Sequence, residues 1–321
     1  MPQRLTPTDI VGIAGMIPTP STPDADQWSC TQSVDLASTA AMTEFVVGGG
    51  IELLLTCGSL GEGATLTQDE HRAFTGAVVD AARGRARVFA GATTLNTRAT
   101  IAQARAVLDA GADGLFLGRP MWMSLDPTAI VRFYQDVAAA LPGVPLIVYD
   151  NQFAFKAKIA TETYRALADI PEVIATKHIG GPTLGDDLLA VGDKMRVLPL
   201  DTQWAALAER FPGQVPACWS GNPADGPAPL IALRRAVEAG DWARARHITE
   251  RMLWAQAPMF PGGKLEVFVE YNIPIAHARL EGSGHVRTGP PRPPYTVCPP
   301  EYLAGGRETG RRWASLTAEL G

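Results

Sequence analysis

Only four of the 321 residues are cysteine (Cys30, Cys57, Cys218 and Cys298), and no two of them form a CxxC pair. That spacing supplies neither a disulfide framework nor a zinc site, so a reduced, cytoplasmic protein without a metal is the expectation. An excess of charge is also lacking. The formal net charge is −5 with no basic block, which leaves out nucleic acid as a partner. No apolar run approaches the roughly 20 residues that span a bilayer. The opening MPQRLTPTDI lacks the charged and apolar regions of a signal peptide, so no membrane partner is expected either. Lysine is scarce, with five in all: Lys156, Lys158, Lys177, Lys194 and Lys264. What is present is a core, since 46% of the residues are hydrophobic and 19% charged.

That core is distributed in a regular order. Short apolar or β-branched runs at 13–18, 51–57, 87–92, 113–118, 145–150, 173–177, 196–200 and 214–219 read as strands. Segments of helical period lie between most of them, among them 68–84, 97–111 and 127–141, with Thr67, Thr97 and Asp126 at N-cap positions. Eight buried strands, each followed by a helix, predict an α/β fold of the (β/α)8 TIM-barrel type. A doubly wound sheet is the alternative, but no G-x-G-x-x-G follows the first strand. The GGG at 48–50 precedes a strand and reads as a helix end and turn. Beyond residue 225 the strands stop, so the expected division is a barrel over 1–225 and a C-terminal helical extension over 226–321. In the extension, 227–239, 241–257, 264–281 and about 300–319 read as helices. The proline-rich TGPPRPPYTVCPP (288–300) is expected to dock through Tyr295 and the EYL that follows.

In such a barrel the chemistry sits at the C-terminal ends of the strands. The second strand leads into TCGSLGEGATLT (56–67), whose glycines let backbone N–H groups approach a carboxylate or phosphate closely. Ordinary turn geometry explains that loop equally well. The fifth strand ends in Tyr149 and the sixth, VIATK, in Lys177. Taken alone, a strand-end tyrosine is usually packing and a strand-end lysine usually reaches solvent. Together, on neighbouring strands, they point into one mouth. A lysine in a partly apolar site loses preference for its charged form, and its neutral amine adds to a carbonyl to form a Schiff base. A protonated imine is an electron sink, a nearby phenol relays protons, and an anion-binding loop holds a carboxylate beside the carbonyl. The reading is a small-molecule 2-oxo acid substrate with Lys177 as nucleophile and Tyr149 as proton relay. The imine is its own electron sink, so no cofactor is called for.

With these features in register, the chain resembles the pyruvate-dependent class I aldolases of the dihydrodipicolinate synthase / N-acetylneuraminate lyase superfamily. The likeness lies in GSLGEGATLTQDEH (58–71), AGADGLFLGRPMW (110–122), IVYDN (147–151) and ATKHIGG (175–181). Within it, the chain is similar to the hydratase-aldolases that cleave benzylidenepyruvates in polycyclic aromatic breakdown. That similarity runs from MIPTPSTPDADQW (16–28) through CWSGNPADGP (218–227) and VEYNIPIAHARL (269–280) to the tail GPPRPPYTVCPPEYLAGG (289–306). The resemblance implies that Ser59 and Leu60 bind the pyruvate carboxylate, that Tyr149 relays protons and that Lys177 forms the Schiff base. It also makes Trp122, Trp219, Asn151 and Asn272 candidates for the aryl end and the added water, and implies a homo-oligomer, commonly a tetramer.

The chain also departs from the synthase pattern. Ser59 and Leu60 stand where the synthase carries two threonines, and NQFAFKAK replaces a segment with an arginine. Met121–Trp122 stands roughly where the synthase receives an aromatic from a neighbouring subunit. These changes trade polar groups for apolar surface, which suits an aryl-bearing substrate. Lys156 and Arg119 are the cations that would neutralise a carboxylate ortho on the ring, the alternative to an ortho hydroxyl. His178, next to the nucleophile, should point away from the mouth, and Glu62 reads equally as a residue that fixes its loop. Two other readings are weighed: a lyase or dehydratase for 2-oxo sugar acids, and a non-catalytic 2-oxo acid sensor. The first wants more polar partners than RPMWM and CWSG offer, and the second typically lacks the lysine or the tyrosine.

Overall fold

The computed structural model describes residues 5–321. Eight strands of three to five residues alternate with helices: β1 (Gly12–Met16), β2 (Leu53–Leu55), β3 (Arg87–Gly91), β4 (Gly114–Leu117), β5 (Leu146–Tyr149), β6 (Val173–Lys177), β7 (Arg196–Leu198) and β8 (Ala217–Ser220). All pair in parallel in the order β7-β6-β5-β4-β3-β2-β1-β8. The ring closes at β7–β8 through a single parallel bridge, Leu200 with Trp219, where the Trp219 N–H donates to the Pro199 carbonyl at 2.9 Å. The architecture is the expected (β/α)8 barrel with C-terminal helices.

Sequence and local chemistry agree element by element. The helix α1 (Leu36–Gly48) starts at Asp35, whose carboxylate accepts from the Ser38 N–H, and ends at the glycine turn. In α2 (Gln68–Ala82), Thr67 and Glu70 form a reciprocal capping box. In α4 (Pro127–Ala140), Asp126 caps and Pro127 occupies the first position, where a missing N–H costs nothing. For α3 (Thr97–Asp109) the cap is Asn96 instead of Thr97, its side chain accepting from the Ala99 N–H. Both residue types cap well, and their adjacency made the position ambiguous. The remaining crossovers are α5 (Thr161–Ala168), α6 (Leu184–Val191) and α7 (Asp201–Arg210), and α8 (Ala228–Glu238) follows β8 and packs on β1.

Two cores result. One lies between strands and helices and includes Val46, Leu54, Val88, Val107 and Val148. The other fills the barrel interior, with Met16, Leu55, Phe89, Phe116, Ile147 and Leu198, and reaches up to Tyr149 and Leu60 at the mouth. Residues that alternate along each strand divide between the two.

Beyond α8 lie α9 (Trp242–Gln256), α10 (Leu265–Glu270), α11 (Asn272–Ser283) and α12 (Pro300–Leu320). The single helix expected over 264–281 is broken at Tyr271. Pro274, in the first turn of α11, has no N–H to return to the Glu270 carbonyl. The helices α11 and α12 meet backbone to backbone. A Cβ on Gly310 would lie 1.9 Å from the Arg279 carbonyl oxygen, and one on Gly306 2.6 Å from that of Ile275. The proline-rich stretch is docked, and of the two anchors expected only the EYL serves, Tyr302 meeting the Tyr271 ring edge at 5.3 Å. Tyr295 is partly exposed, while Arg292 is buried and Ser21 bonds the Thr288 and Pro290 carbonyls.

Candidate active site

The sixth strand ends in Lys177, and the parallel register sets it directly against Tyr149 of β5. Cross-strand partners share a face, so both side chains enter the barrel mouth. Lys177 is 4% exposed. Burial strips water from its ammonium and lowers its pKa from 10.5 to about 7, with the negative charge of Asp150 opposing part of that fall. A neutral amine is therefore abundant near neutrality. Its Nζ lies 3.4 Å from the ring centroid of Trp219 and 4.8 Å from that of Tyr149. These π faces meet the nitrogen where an iminium would carry its charge.

Tyr149 is held on all sides. Its ring stacks on Phe116 at 4.6 Å and meets the edge of Phe155 at 5.2 Å. Its hydroxyl is 2.9 Å from Ser59 Oγ and accepts from Asn151 Nδ2 at 2.9 Å. Asn151 Oδ1 in turn accepts from the Phe153 and Ala154 N–H groups, which fixes the orientation of the amide. Phenol and serine hydroxyl thus share a proton line of the kind a relay needs.

The glycine loop winds tightly around Cys57. A Cβ on Gly61 would lie 2.7 Å from the Cys57 nitrogen, and one on Gly63 2.2 Å from its oxygen. Glu62, between them, adopts the left-handed region at φ 51°. The backbone N–H groups of Ser59 and Leu60 have no acceptor among the described residues, while Glu62 and Gly63 bond back within the loop. The Ser59 and Leu60 donors suit a carboxylate.

Trp219 stands at the barrel seam, its Nε1 donating to the His178 carbonyl at 2.8 Å. The His178 side chain points to the helix layer, as the strand alternation requires. Gly180 N–H can only donate, so the Nδ1 it meets at 2.9 Å is unprotonated, and Nε2–H donates to Asp187 at 2.9 Å. Trp122 lies on the loop after β4 and is 75% exposed, its carbonyl accepting from Lys156 Nζ at 2.6 Å. Asn272 opens α11 one turn before Ala276, which packs into the interior core, but its amide meets no partner among the described residues. The structure therefore gathers Lys177, Tyr149, Ser59, Leu60, Asn151 and Trp219, and puts Trp122 on the exposed loop after β4.

Arg119 is not available to a substrate carboxylate. It is 1% exposed, pairs with Asp150 at 3.2 Å and donates to the Ala157 carbonyl. Asp150 also accepts from the Tyr164 hydroxyl at 2.8 Å. This buried pair behind β5 was missed in the sequence, where only the adjacency of Asp150 to Tyr149 hinted at it. Also missed were His277 and Arg292, which both bond Glu62. Among the described residues no group of acids, histidines and cysteines forms a metal site, and no helix is long and apolar enough to cross a membrane.

Comparison with known proteins places this geometry in context. The model of the dihydrodipicolinate synthetase family matches residues 13–194. A trans-2'-carboxybenzalpyruvate hydratase-aldolase of Nocardioides sp. (strain KP7) is 45% identical over 97% of this chain and 95% of its own length. A trans-O-hydroxybenzylidenepyruvate hydratase-aldolase of Pseudomonas aeruginosa is 41% identical over 98% and 96%. The solved structure of PhdJ bound to a substrate intermediate is 50% identical, covers 99% of this chain and 100% of its own, and superposes with a TM-score of 0.98.

Proposed function

The chain belongs to the dihydrodipicolinate synthetase family, and we propose that it is a class I hydratase-aldolase converting a substituted trans-benzylidenepyruvate and water to an aromatic aldehyde and pyruvate. Its class is carbon–carbon lyase. The observation that carries the reading is a buried, pKa-lowered Lys177 set against Tyr149 beside two free backbone donors.

The Lys177 amine attacks the 2-oxo carbon, and loss of water gives an iminium conjugated with the side-chain double bond. Water adds at the carbon bearing the aryl ring, the double-bond electrons pass into the iminium to leave an enamine, and protonation of the adjacent carbon by the proton released from the water restores the iminium. Tyr149 takes the proton of the new hydroxyl as the adjacent carbon–carbon bond breaks, the electrons passing into the iminium. The aldehyde leaves, the pyruvate enamine is protonated, and hydrolysis returns pyruvate and the free amine. Ser59 carries the relay from the phenol, and the Ser59 and Leu60 N–H groups hold the carboxylate. Trp219 lines the imine, Asn151 orients the phenol, and Trp122 and Asn272 are assigned to the aryl end and the water.

The ring substituent we assign is an ortho carboxylate. Arg119 is paired with Asp150 and Lys158 lies 3.5 Å from Asp187, whereas Lys156 meets only the Trp122 carbonyl. Lys156 is thus the cation beside the aryl end without an acidic partner, and the 45% identity to the carboxybenzalpyruvate enzyme supports the same choice. The expected assembly is a homo-oligomer, a tetramer, in which a second copy covers exposed apolar residues such as Trp28 and Met123. Light scattering after size exclusion tests this, and a monomeric mass rejects it. The reaction itself is tested by borohydride reduction with pyruvate and peptide mass mapping. A reduced pyruvyl adduct on Lys177 is expected, and folded protein without any adduct would remove the aldolase reading.

A further inference from the structure

Glu62 is a buried carboxylate in a backbone conformation that side-chain-bearing residues rarely adopt, and its partners come from the far end of the chain. His277 Nε2 of α11 lies 2.7 Å from Oε1. Arg292 of the tail donates from Nη1 to Oε1 at 2.9 Å and from its backbone N–H to Oε2 at 2.9 Å. The remaining guanidinium donors meet Ser33 Oγ at 2.6 Å and the carbonyls of Thr19, Pro20 and Ser33 at 2.9–3.2 Å. Thr19 Oγ1 then donates to the Gly61 carbonyl at 2.7 Å. One arginine, 2% exposed, therefore ties the tail, the loop after β1 and the loop after β2 into a single unit.

A left-handed residue between two glycines persists only where its surroundings over-determine it. Here they do so through the Glu62 carboxylate. The Glu62 N–H closes onto the Ser59 carbonyl and the next N–H, of Gly63, onto the Gly58 carbonyl, both at 3.1 Å, so the pose of Glu62 sets the Ser59–Leu60 and Gly58–Ser59 peptide planes. Those planes carry the two free N–H groups.

We infer that Arg292 and His277 are positioning residues for 2-oxo acid binding, acting through Glu62 to aim the Ser59 and Leu60 N–H groups at the substrate carboxylate. The inference rests on the proposed aldolase reading. It makes the C-terminal tail part of the donor site without touching substrate. Loosening the latch weakens capture of pyruvate and leaves the chemistry at Lys177 intact once pyruvate is bound.

The test titrates pyruvate in the borohydride reduction, follows the Lys177 adduct by mass, and compares the parent protein with Arg292→Lys, Glu62→Gln and His277→Asn, recording thermal melting for each. Arg292→Lys keeps the charge and loses the fork, and is expected to raise the half-saturating pyruvate concentration roughly tenfold with the plateau rate within about twofold of the parent. Glu62→Gln is expected to behave similarly, and His277→Asn to give a smaller shift in the same direction. Variants that melt earlier yet saturate at the parent's pyruvate concentration would show a merely structural latch and overturn the inference alone. A parent protein that forms no adduct would overturn the aldolase reading and this inference with it. If Arg292→Lys and Glu62→Gln lose their fold, His277→Asn decides, because the tail then stays latched by Arg292.

Discussion

At the donor end of the barrel mouth, every proposed group is held from several directions. Lys177 lies between two aromatic faces, Tyr149 has one stacked ring, one edge-on ring and two hydrogen bonds, and the glycine loop is wedged against Cys57. At the aryl end, Trp122 and Met123 are exposed, and Lys156 touches only a carbonyl. The first set stands on strand ends and a locked loop, the second on the long connections after β4 and β5. In the proposed reaction the first set would make and break bonds and the second would meet the aldehyde. A common carbonyl chemistry can thus be kept while the leaving aldehyde changes.

Substitutions at the two ends should fail differently. The largest effect is expected from Lys177→Met, which should remove the pyruvyl adduct and lower turnover by about 10⁴-fold or more, read by loss of benzylidenepyruvate absorbance. The same variant should melt higher than the parent at pH 7. Unfolded lysine holds its proton up to about 10.5 and the folded one only to about 7, so folding opposes protonation below that window. The margin should shrink as pH rises from 7 and vanish above 10.5, which melting curves across pH would show. Tyr149→Phe comes next. It should cost roughly 10²–10³-fold in kcat while borohydride with pyruvate still labels Lys177. Loss of labelling as well would mean that the phenol is needed to build the imine.

A smaller effect is expected from pH alone. Adduct formation should rise with pH through about 7 as the Lys177 amine becomes neutral, then level off. A limb near 10 would mean that the lysine is more hydrated than its burial indicates. The smallest change is expected from Lys156→Ala. It should raise KM for an ortho-carboxy substrate about fivefold, as for an exposed ion pair, and leave an ortho-hydroxy substrate and pyruvate labelling unchanged. If pyruvate labelling fell too, the division between the two ends would be wrong.

The barrel and its donor groups were readable because each rested on a short-range signal. Strand runs such as VIATK end where β6 ends, and neighbouring strands put Tyr149 beside Lys177 with no further information. The groups that were not readable depend on distant segments. Glu62 meets His277 across 215 residues and Arg292 across 230, and nothing local marks either partner. Arg119 read as a free cation because its partner Asp150 lies 31 residues away, just past the end of β5. The break at Tyr271 was hidden because Pro274 is tolerated in a first turn, so the periodic pattern ran through it. Asn272 and Trp122 followed from resemblance to a family, and the exposure of Trp122 depends on loop geometry that periodicity does not encode.

The close winding of the glycine loop has a consequence for how this scaffold can diversify. Gly61 and Gly63 leave no space for a Cβ against Cys57, and one on Gly58 would lie 3.0 Å from both Met16 and Phe116. Glu62 is tied to the tail. Of the six positions from 58 to 63, only Ser59 and Leu60 carry side chains held by neither the winding of the loop nor the tail, Ser59 instead meeting the Tyr149 hydroxyl and Leu60 the interior core, and these are the two whose backbone faces the substrate carboxylate in the proposed site. A descendant of this chain can therefore change what sits beside the carboxylate in small steps, while the grip itself, made of main chain, passes unaltered from one lineage to the next.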